Sequence, residues 1–473
     1  MKHRIYGVRL LMCATLVLGR PTLGSSAPET TVPAPSPPPP PGEIIDLPSS
    51  LQLAGARNLD IQIAREKLAE ALANRESSVW QFFPSITPGV GYRRHDNLIQ
   101  TVDGNLINVH KDSYAVGPVI AAQVDLGGAI YSNLAARQLV KAAELGLESQ
   151  RQDTILAAAI GYFDLAKAQA AAAVTQEAVS IAQDYAGQVQ RAVEVGIAFK
   201  GDALRAQVQV ERNRLTLRQT QEEQRVASAR LAQTLHLAAG ITLVPRDAEM
   251  LPLELVATNA GLMALVAQAF STRPELAQNR FLIAAARDAK KGAKFGPLIP
   301  SLGAEVFVGG LGGGNATVPD QFGQSQDYAF TLGWRIGPGG LFDRGRIRAA
   351  DARLKVAELT DEKWLDEVVR QVTESFTRWQ SATDQLSTVR RAVQAATETL
   401  QLTRQRKEFA VGAVLENIQS EQDLTRARLD FVNAIAEYNK AQFSLKKSIG
   451  GLQSGREPGT ATTDRTSPGP QAP

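Results

Sequence analysis

The chain carries one pattern twice, and the pattern mixes elements that rarely share a compact domain. Phe83-Pro84-Ser85 returns as Ile299-Pro300-Ser301, and Tyr114-x-Val116 as Tyr328-x-Phe330. Ala142-Ala143-Glu144-Leu145 returns as Val356-Ala357-Glu358-Leu359, and Val195-Gly196 as Val411-Gly412. Each copy reads helix, strand pair, very long helix, returning helix. Solenoid units run roughly 20–50 residues, so this is a duplicated supersecondary block. Apolar periodicity predicts the leading helices over 51–79 and 262–293, stopped by Pro84 and by Pro297 and Pro300.

The strands that follow alternate. Tyr114, Val116, Ile120, Ala122 and Val124 share one parity, and Tyr328, Phe330, Leu332, Trp334 and Ile336 share another such run. Val90 and Tyr92, and Val306 and Val308, mark the preceding strands. Alternation of this kind with aromatics near the ends fits strands with one lipid face. The polar and glycine-rich stretches 93–112 and 309–326 read as surface loops. Four strands cannot close a barrel of at least about eight, so a barrel, if formed, is shared between chains.

The long helices are predicted over 129–194 and 344–410, each answered by a returning helix, over 202–237 and 416–449. At 1.5 Å per residue the first reaches roughly 100 Å. Helices of that length exceed any single globular core and must pack on one another as coiled coils. Alanine runs such as Ala157-Ala158-Ala159 permit close approach.

Lys2, Arg4 and Arg9, the apolar run from Leu10 to Leu18 and Ser25-Ser26-Ala27 read as a secretory signal peptide over 1–27. The run is too short to span a bilayer. Cys13, the one cysteine, follows Met12 rather than the small residue a lipoprotein signal wants. A Pro-rich linker over 28–48, with Pro37 to Pro41, reads as an extended spacer, and 451–473 as a disordered tail. The formal charge of +3 comes from the leader: without Lys2, Arg4, Arg9 and Arg20, 47 basic residues face 48 acidic ones. That balance offers nothing to nucleic acid. No apolar run after the leader is long enough for a helical span, so a membrane crossing has to be a closed β-barrel.

Chemistry is sparse. His3, His95, His110 and His236 show no metal-ligand spacing, and the run from Gly309 to Gly314 lacks the Gly-Lys-Ser/Thr of a phosphate loop. No enzyme, metal site or cofactor is expected.

The repeat order resembles the TolC-type outer membrane factors, the outer membrane efflux protein family. The marks are Arg273-Pro274-Glu275-Leu276, Leu298-Ile299-Pro300-Ser301-Leu302, the stretch from Gly339 to Gly345, and Asn439-Lys440-Ala441-Gln442. The resemblance covers about 51–450, and places repeats at 49–240 and 241–450. It implies a mainly α protein with β: a homotrimer whose protomers give four strands each to a 12-stranded outer-membrane barrel, continued by a periplasmic coiled-coil α-barrel. It implies a passive exit duct of a tripartite efflux or type I secretion system, in contact with outer membrane lipid, a periplasmic adaptor and an inner-membrane pump. The alternative is a periplasmic coiled-coil scaffold with soluble hairpins. Val195, Gly196, Ile197 and Ala198, and Val411, Gly412, Ala413 and Val414, match the family's adaptor-binding tips, with Ile197 and Ala413 where leucine is usual. Glu416 and Glu421 are the candidates for its acidic periplasmic gate.

Overall fold

The computed structural model describes residues 42–85, 91–238, 240–246, 250–256, 261–315, 318–408 and 414–452. The expected signal peptide, Cys13, the Pro37 to Pro41 tract and all but two residues of the expected tail lie outside them. So do the tip residues Val411, Gly412 and Ala413.

The helices repeat in length. α1 (Leu47–Arg57) and α5 (Leu262–Thr272) have 11 residues each, and α2 (Leu59–Trp80) and α6 (Pro274–Phe295) have 22 each. α3 (Leu126–Glu194) and α7 (Arg344–Glu408) have 69 and 65, and α4 (Lys200–Thr234) and α8 (Val414–Ser448) have 35 each. The expectation of one unbroken leading helix per repeat is therefore corrected: each is two helices. In the first, Asn58 turns extended and its side chain accepts from Asp60 N and Ile61 N. In the second, Pro274 has no N–H to donate and forces Arg273 out of the helical region.

These breaks are joints. Asn58 Nδ2 donates to the carbonyl of Thr234, the last residue of α4, at 2.8 Å. One amide side chain thus caps the start of α2 and the end of α4, and sets them end to end. In the second repeat Thr272 Oγ1 donates to the carbonyl of Ile449, just past α8, at 2.6 Å. Each long helix consequently runs beside a partner made of two shorter ones, since α3 packs on α4 and α2, and α7 on α8 and α6. α4 and α8 close with the same left-handed residue, His236 at φ 52° and Gly450 at φ 71°. Leu237 N donates to Ala232 O and Gly451 N to Lys446 O, the wide bond of a Schellman turn.

Two apolar clusters flank the joints. One gathers Ile155, Ala158, Phe163, Leu165, Leu231, Leu243 and Phe443, and the other Leu276, Val368, Val372, Trp379, Leu386, Tyr438 and Leu445. β1 (Glu43–Ile45) pairs in parallel with β5 (Leu243–Pro245), an element no sequence pattern announced. Fully buried Asn439 and Gln442 hold the segment between the repeats. Asn439 Oδ1 accepts from Leu253 N at 2.8 Å and Nδ2 donates to Leu251 O at 3.0 Å. Gln442 Oε1 accepts from Leu255 N and Val256 N. Beside them Arg273 forks onto Glu275 and reaches Gln371, while Lys447 bridges Glu275 and Asp153. Burial pushes the Glu275 carboxyl up, but the Arg273 hydrogen bonds and the Arg273 and Lys447 charges outweigh it and hold it below the usual carboxylate range.

The strands are β2 (Gly91–Gln100), β3 (Leu106–Val116), β4 (Val119–Val124), β6 (Ser301–Asn315) and β7 (Val318–Gly333). They form one antiparallel sheet in which β3 and β4 both pair with β6. The register passes through the break without a slip: Val116 faces Gly310 and Val119 faces Phe307. β3 and β4 are thus one strand interrupted at Gly117-Pro118, where a Cβ on Gly117 would lie 2.6 Å from Gly309 Cα. Among the described residues the sheet has four physical strands. The stretches expected as loops, 93–112 and 309–326, are mostly strand, leaving a short turn at Thr101 to Asn105 in the first hairpin. Aromatic cover explains how a glycine run can be a strand. Across Gly312 stand Tyr114 on one side and Phe322 on the other. Their rings stack at 6.1 Å, and a Cβ on Gly310 or Gly312 would meet them at 2.0 or 2.5 Å.

Two outcomes are expected. Asn439→Ala removes the side-chain partner of the half-buried Leu253 N–H and of the Leu251 carbonyl, and should cost about 1–2 kcal/mol in chemical unfolding; a loss under about 0.5 kcal/mol would contradict the clamp. Glu275 has a depressed folded pKa, so its contribution is present above the unfolded value of about 4.3 and is lost as pH falls through the lower folded value. Glu275→Gln should therefore unfold with a shallower pH dependence below about pH 4.

Candidate functional site

The sheet has two unlike faces, and its register defines them. Val124, Leu302 and Leu332 form one cross-strand row, Ala122, Ala304 and Phe330 the next, and Ile120, Val306 and Tyr328 the third. Residues directly opposite point to the same side, so these rows make one apolar face. The intervening rows are Gln123, Gly303 and Thr331, then Ala121, Glu305 and Ala329, then Val119, Phe307 and Asp327. Phe330, Tyr328 and Leu332 are exposed among the described residues. From the Leu332 row to the Phe322 row is ten steps along β7, about 33 Å. At a tilt of about 40° this is about 25 Å, the height of the apolar band of a membrane barrel. Between Phe322 and Leu332 only Gln324 and Gln326 break the apolar parity of β7, and Tyr328 Oη donates to Gln326 Oε1 at 3.2 Å. Among the described residues both sheet edges, β2 and β7, have no further strand paired to them.

At the far end of the long helices lies the first tip. α3 ends in a Schellman turn: Gly196, at φ 77°, donates to Val193 O at 3.0 Å, and Ile197 N to Ala192 O at 2.8 Å. A Cβ on Gly196 would meet nothing within 4 Å. The turn presents Val195, Ile197 and Phe199 at 69, 83 and 74% exposure. Phe199 was not among the residues singled out, although an aromatic directly after Val195 to Ala198 was a visible signal. In the second tip only Val414 of the four expected residues is described. It is half-buried and packs inward, with Ala186 and Ala203, onto the cluster of Tyr185, Val189, Ala206 and Ile418.

The two expected carboxylates stand on the first turns of α8. Glu416 Oε1 accepts from Arg406 at 2.7 Å. Glu421 lies 3.6 Å from Arg404 and accepts from Asn417 Nδ2 at 3.0 Å. Both arginines come from the end of α7, so the ion pairs tie the arms of one hairpin. Sequence reasoning passed over Arg404 and Arg406; bases before the tip facing acids after it were the available sign. Glu421 also borders a cleft of about 530 Å³ with Asp184, Tyr185, Gln188 and Arg404. Burial, then the charges of Glu421 and Asp202, push the Tyr185 hydroxyl up to about 12, so it stays protonated. Among the described residues no group of side chains has the makings of a metal site, and no helix is long and apolar enough to cross a membrane.

Gly196→Val sits in open space and meets only the left-handed backbone penalty, about 1–2 kcal/mol confined to the turn. The midpoint of thermal unfolding should stay within a degree or two of the parent; a global loss would mean that the turn is structural.

A family model described as outer membrane efflux protein matches residues 50–235 and 265–451. No curated protein matches significantly. Among solved structures, the outer-membrane channel OprN superposes with a TM-score of 0.70 at 20% identity, covering 86% of this chain and 90% of its own. The outer membrane protein VceC of Vibrio cholerae gives 0.68 at 16% identity, covering 86% and 96%. The Neisseria gonorrhoeae MtrE outer membrane channel, in its open state, gives 0.67 at 17%, covering 86% and 89%.

Proposed function

The chain belongs to the outer membrane efflux protein family, a family of outer-membrane channels, and on that premise we propose that it is the passive exit duct of a tripartite efflux or type I secretion assembly. The observation that carries this reading is the three-deep apolar face on a sheet with two unpaired edges. A soluble scaffold would leave Tyr328, Phe330 and Leu332 in water and the edges open to aggregation; a closed barrel puts the first in lipid and pairs the second. β2 and β7 run antiparallel, so β7 of one copy can pair with β2 of the next. Three copies give twelve strands and a homotrimer.

Beneath the barrel, α3 alone extends about 100 Å, a reach suited to a periplasmic conduit. Repeats over 49–240 and 241–450, after a cleaved leader at 1–27, each supply one hairpin. The first tip, Val195 to Ala198, receives the periplasmic adaptor through exposed apolar side chains and a glycine that lets a partner backbone approach closely, and Val411 to Val414 are its counterpart in the second repeat. Glu416 and Glu421 ring the lower opening, each attenuated by its own arginine. The structure of MtrE is described as an open state, which supports a lower end with more than one aperture. Energy comes from the inner-membrane pump, and the cargo is set there.

Reconstituted in planar bilayers, the protein should give discrete channel conductance, and Glu416→Ala with Glu421→Ala should weaken cation selectivity. Recovery as a detergent-free soluble monomer would sink the duct in favour of the scaffold; unchanged selectivity would remove the two carboxylates alone. Gly196→Asp should abolish export in cells while the trimer persists, and intact export would count against the tip assignment.

A further inference from the structure

The two repeats differ sharply in charge where strand gives way to helix. In the second repeat, 289–300 and 333–349 hold seven basic residues and one acid, Asp343. The matching positions of the first repeat, 73–84 and 119–135, hold one base, Arg75, and two acids, Glu76 and Asp125.

The two second-repeat segments meet in space. Arg346 donates to Gly339 O at 2.9 Å and to Gly292 O and Ala293 O at 3.3 Å, capping the end of α6, and Trp334 Nε1 donates to Leu298 O at 3.1 Å. Asp343 is engaged as the N-cap of α7, accepting from Gly339 N and Arg346 N. Lys290 and Lys291 have Asp351 and Asp288. Lys294, Arg335, Arg344 and Arg348 remain: all four are exposed, and among the described residues none has a carboxylate partner.

The cations sit at the rim of the apolar face. Trp334 and Ile336 continue the parity of Tyr328 to Leu332 past the last paired row, at 53 and 71% exposure. Leu298 and Phe342 add exposed apolar surface, Phe342 at φ 66°. Lys294 Nζ lies 5.1 Å from the Phe295 ring centroid. Aromatics at the edge of an apolar band with unpaired Lys and Arg just beyond it form the pattern of a bilayer interface, where long side chains carry their charge up to the headgroups. A net positive rim is complementary to phosphate-bearing lipids that carry net negative charge, and indifferent to zwitterionic ones.

We propose that this rim binds anionic phospholipid headgroups of the periplasm-facing leaflet, with Lys294, Arg335, Arg344 and Arg348 as the headgroup ligands. The proposal rests on the reading of the sheet as an outer-membrane barrel. By threefold symmetry it gives three such patches per trimer, alternating with first-repeat sectors that lack them, so the lipid ring is uneven and anchors the barrel at fixed depth.

The test is lipid selectivity of the full-length protein in phosphatidylcholine vesicles containing either spin-labelled phosphatidylglycerol or spin-labelled phosphatidylcholine. At low salt the wild type should hold the anionic label about two- to threefold more strongly, and lose the preference at about 0.5 M salt. The combined variant K294Q/R335Q/R344Q/R348Q should bring the ratio close to one, and the charge-conserving set R335K/R344K/R348K should restore it. A wild type that does not discriminate, or a neutralised variant that still does, overturns the proposal. So does a neutralised variant that keeps its lipid preference and instead shifts ion selectivity, since the cations then line the lumen. Failure to enter any vesicle would overturn the barrel reading as well, whereas insertion without preference overturns the lipid proposal alone.

Discussion

Inside hydrocarbon a backbone N–H or C=O has no water to turn to, and every other property of this chain is arranged around that deficit. A four-stranded sheet with an apolar face solves it for two strands and leaves it open for the outer ones. The unpaired edges of β2 and β7 therefore turn the single chain into a fraction of a structure. Because the strands alternate in direction and are even in number, copies join edge to edge without a parallel seam. The duplication supplies that even number, one hairpin from each repeat.

Along the helices, away from the strands, the same economy appears in another form. Each repeat needs a partner running the length of its long helix, and builds it from two helices that the chain visits at different times. The joints work because single side chains serve two ends at once, as Asn58 does for α2 and α4. Buried Asn439 and Gln442 then fasten the connecting segment between repeats, and Arg273 and Lys447 both pair with Glu275 beside it. Isolated polar groups in that position would destabilise; mutually satisfied ones specify a single arrangement.

Much of this was legible in the residues. The long helices, the returning helices and the order of elements followed from periodicity, because a long amphipathic helix leaves an unambiguous trace. The strand lengths did not. A strand whose glycines are covered by Tyr114 and Phe322 looks like a loop until the neighbouring strands are placed, since the compensation lies on other strands. The break at Asn58 was hidden for a related reason, since helical periodicity resumes in phase across it and the partner end reveals the cap; the break at Arg273 was signalled by Pro274, which the apolar periodicity overrode. The pairing of β1 with β5 involves three residues per strand, too few for any pattern. At the tips Gly196 was readable as a turn glycine, whereas the arginines that face Glu416 and Glu421 lie before the turn and become neighbours only when the hairpin closes.

Closure by copies of the chain is the claim on which the rest stands, and stoichiometry tests it most directly. Native mass spectrometry of the mature protein, extracted from outer membranes in mild detergent, should give a single assembly of three protomers that falls to monomers only on heating. A stable monomer or dimer as the sole species would leave the strand edges unpaired or the barrel too small for the helices beneath it, and would contradict the account.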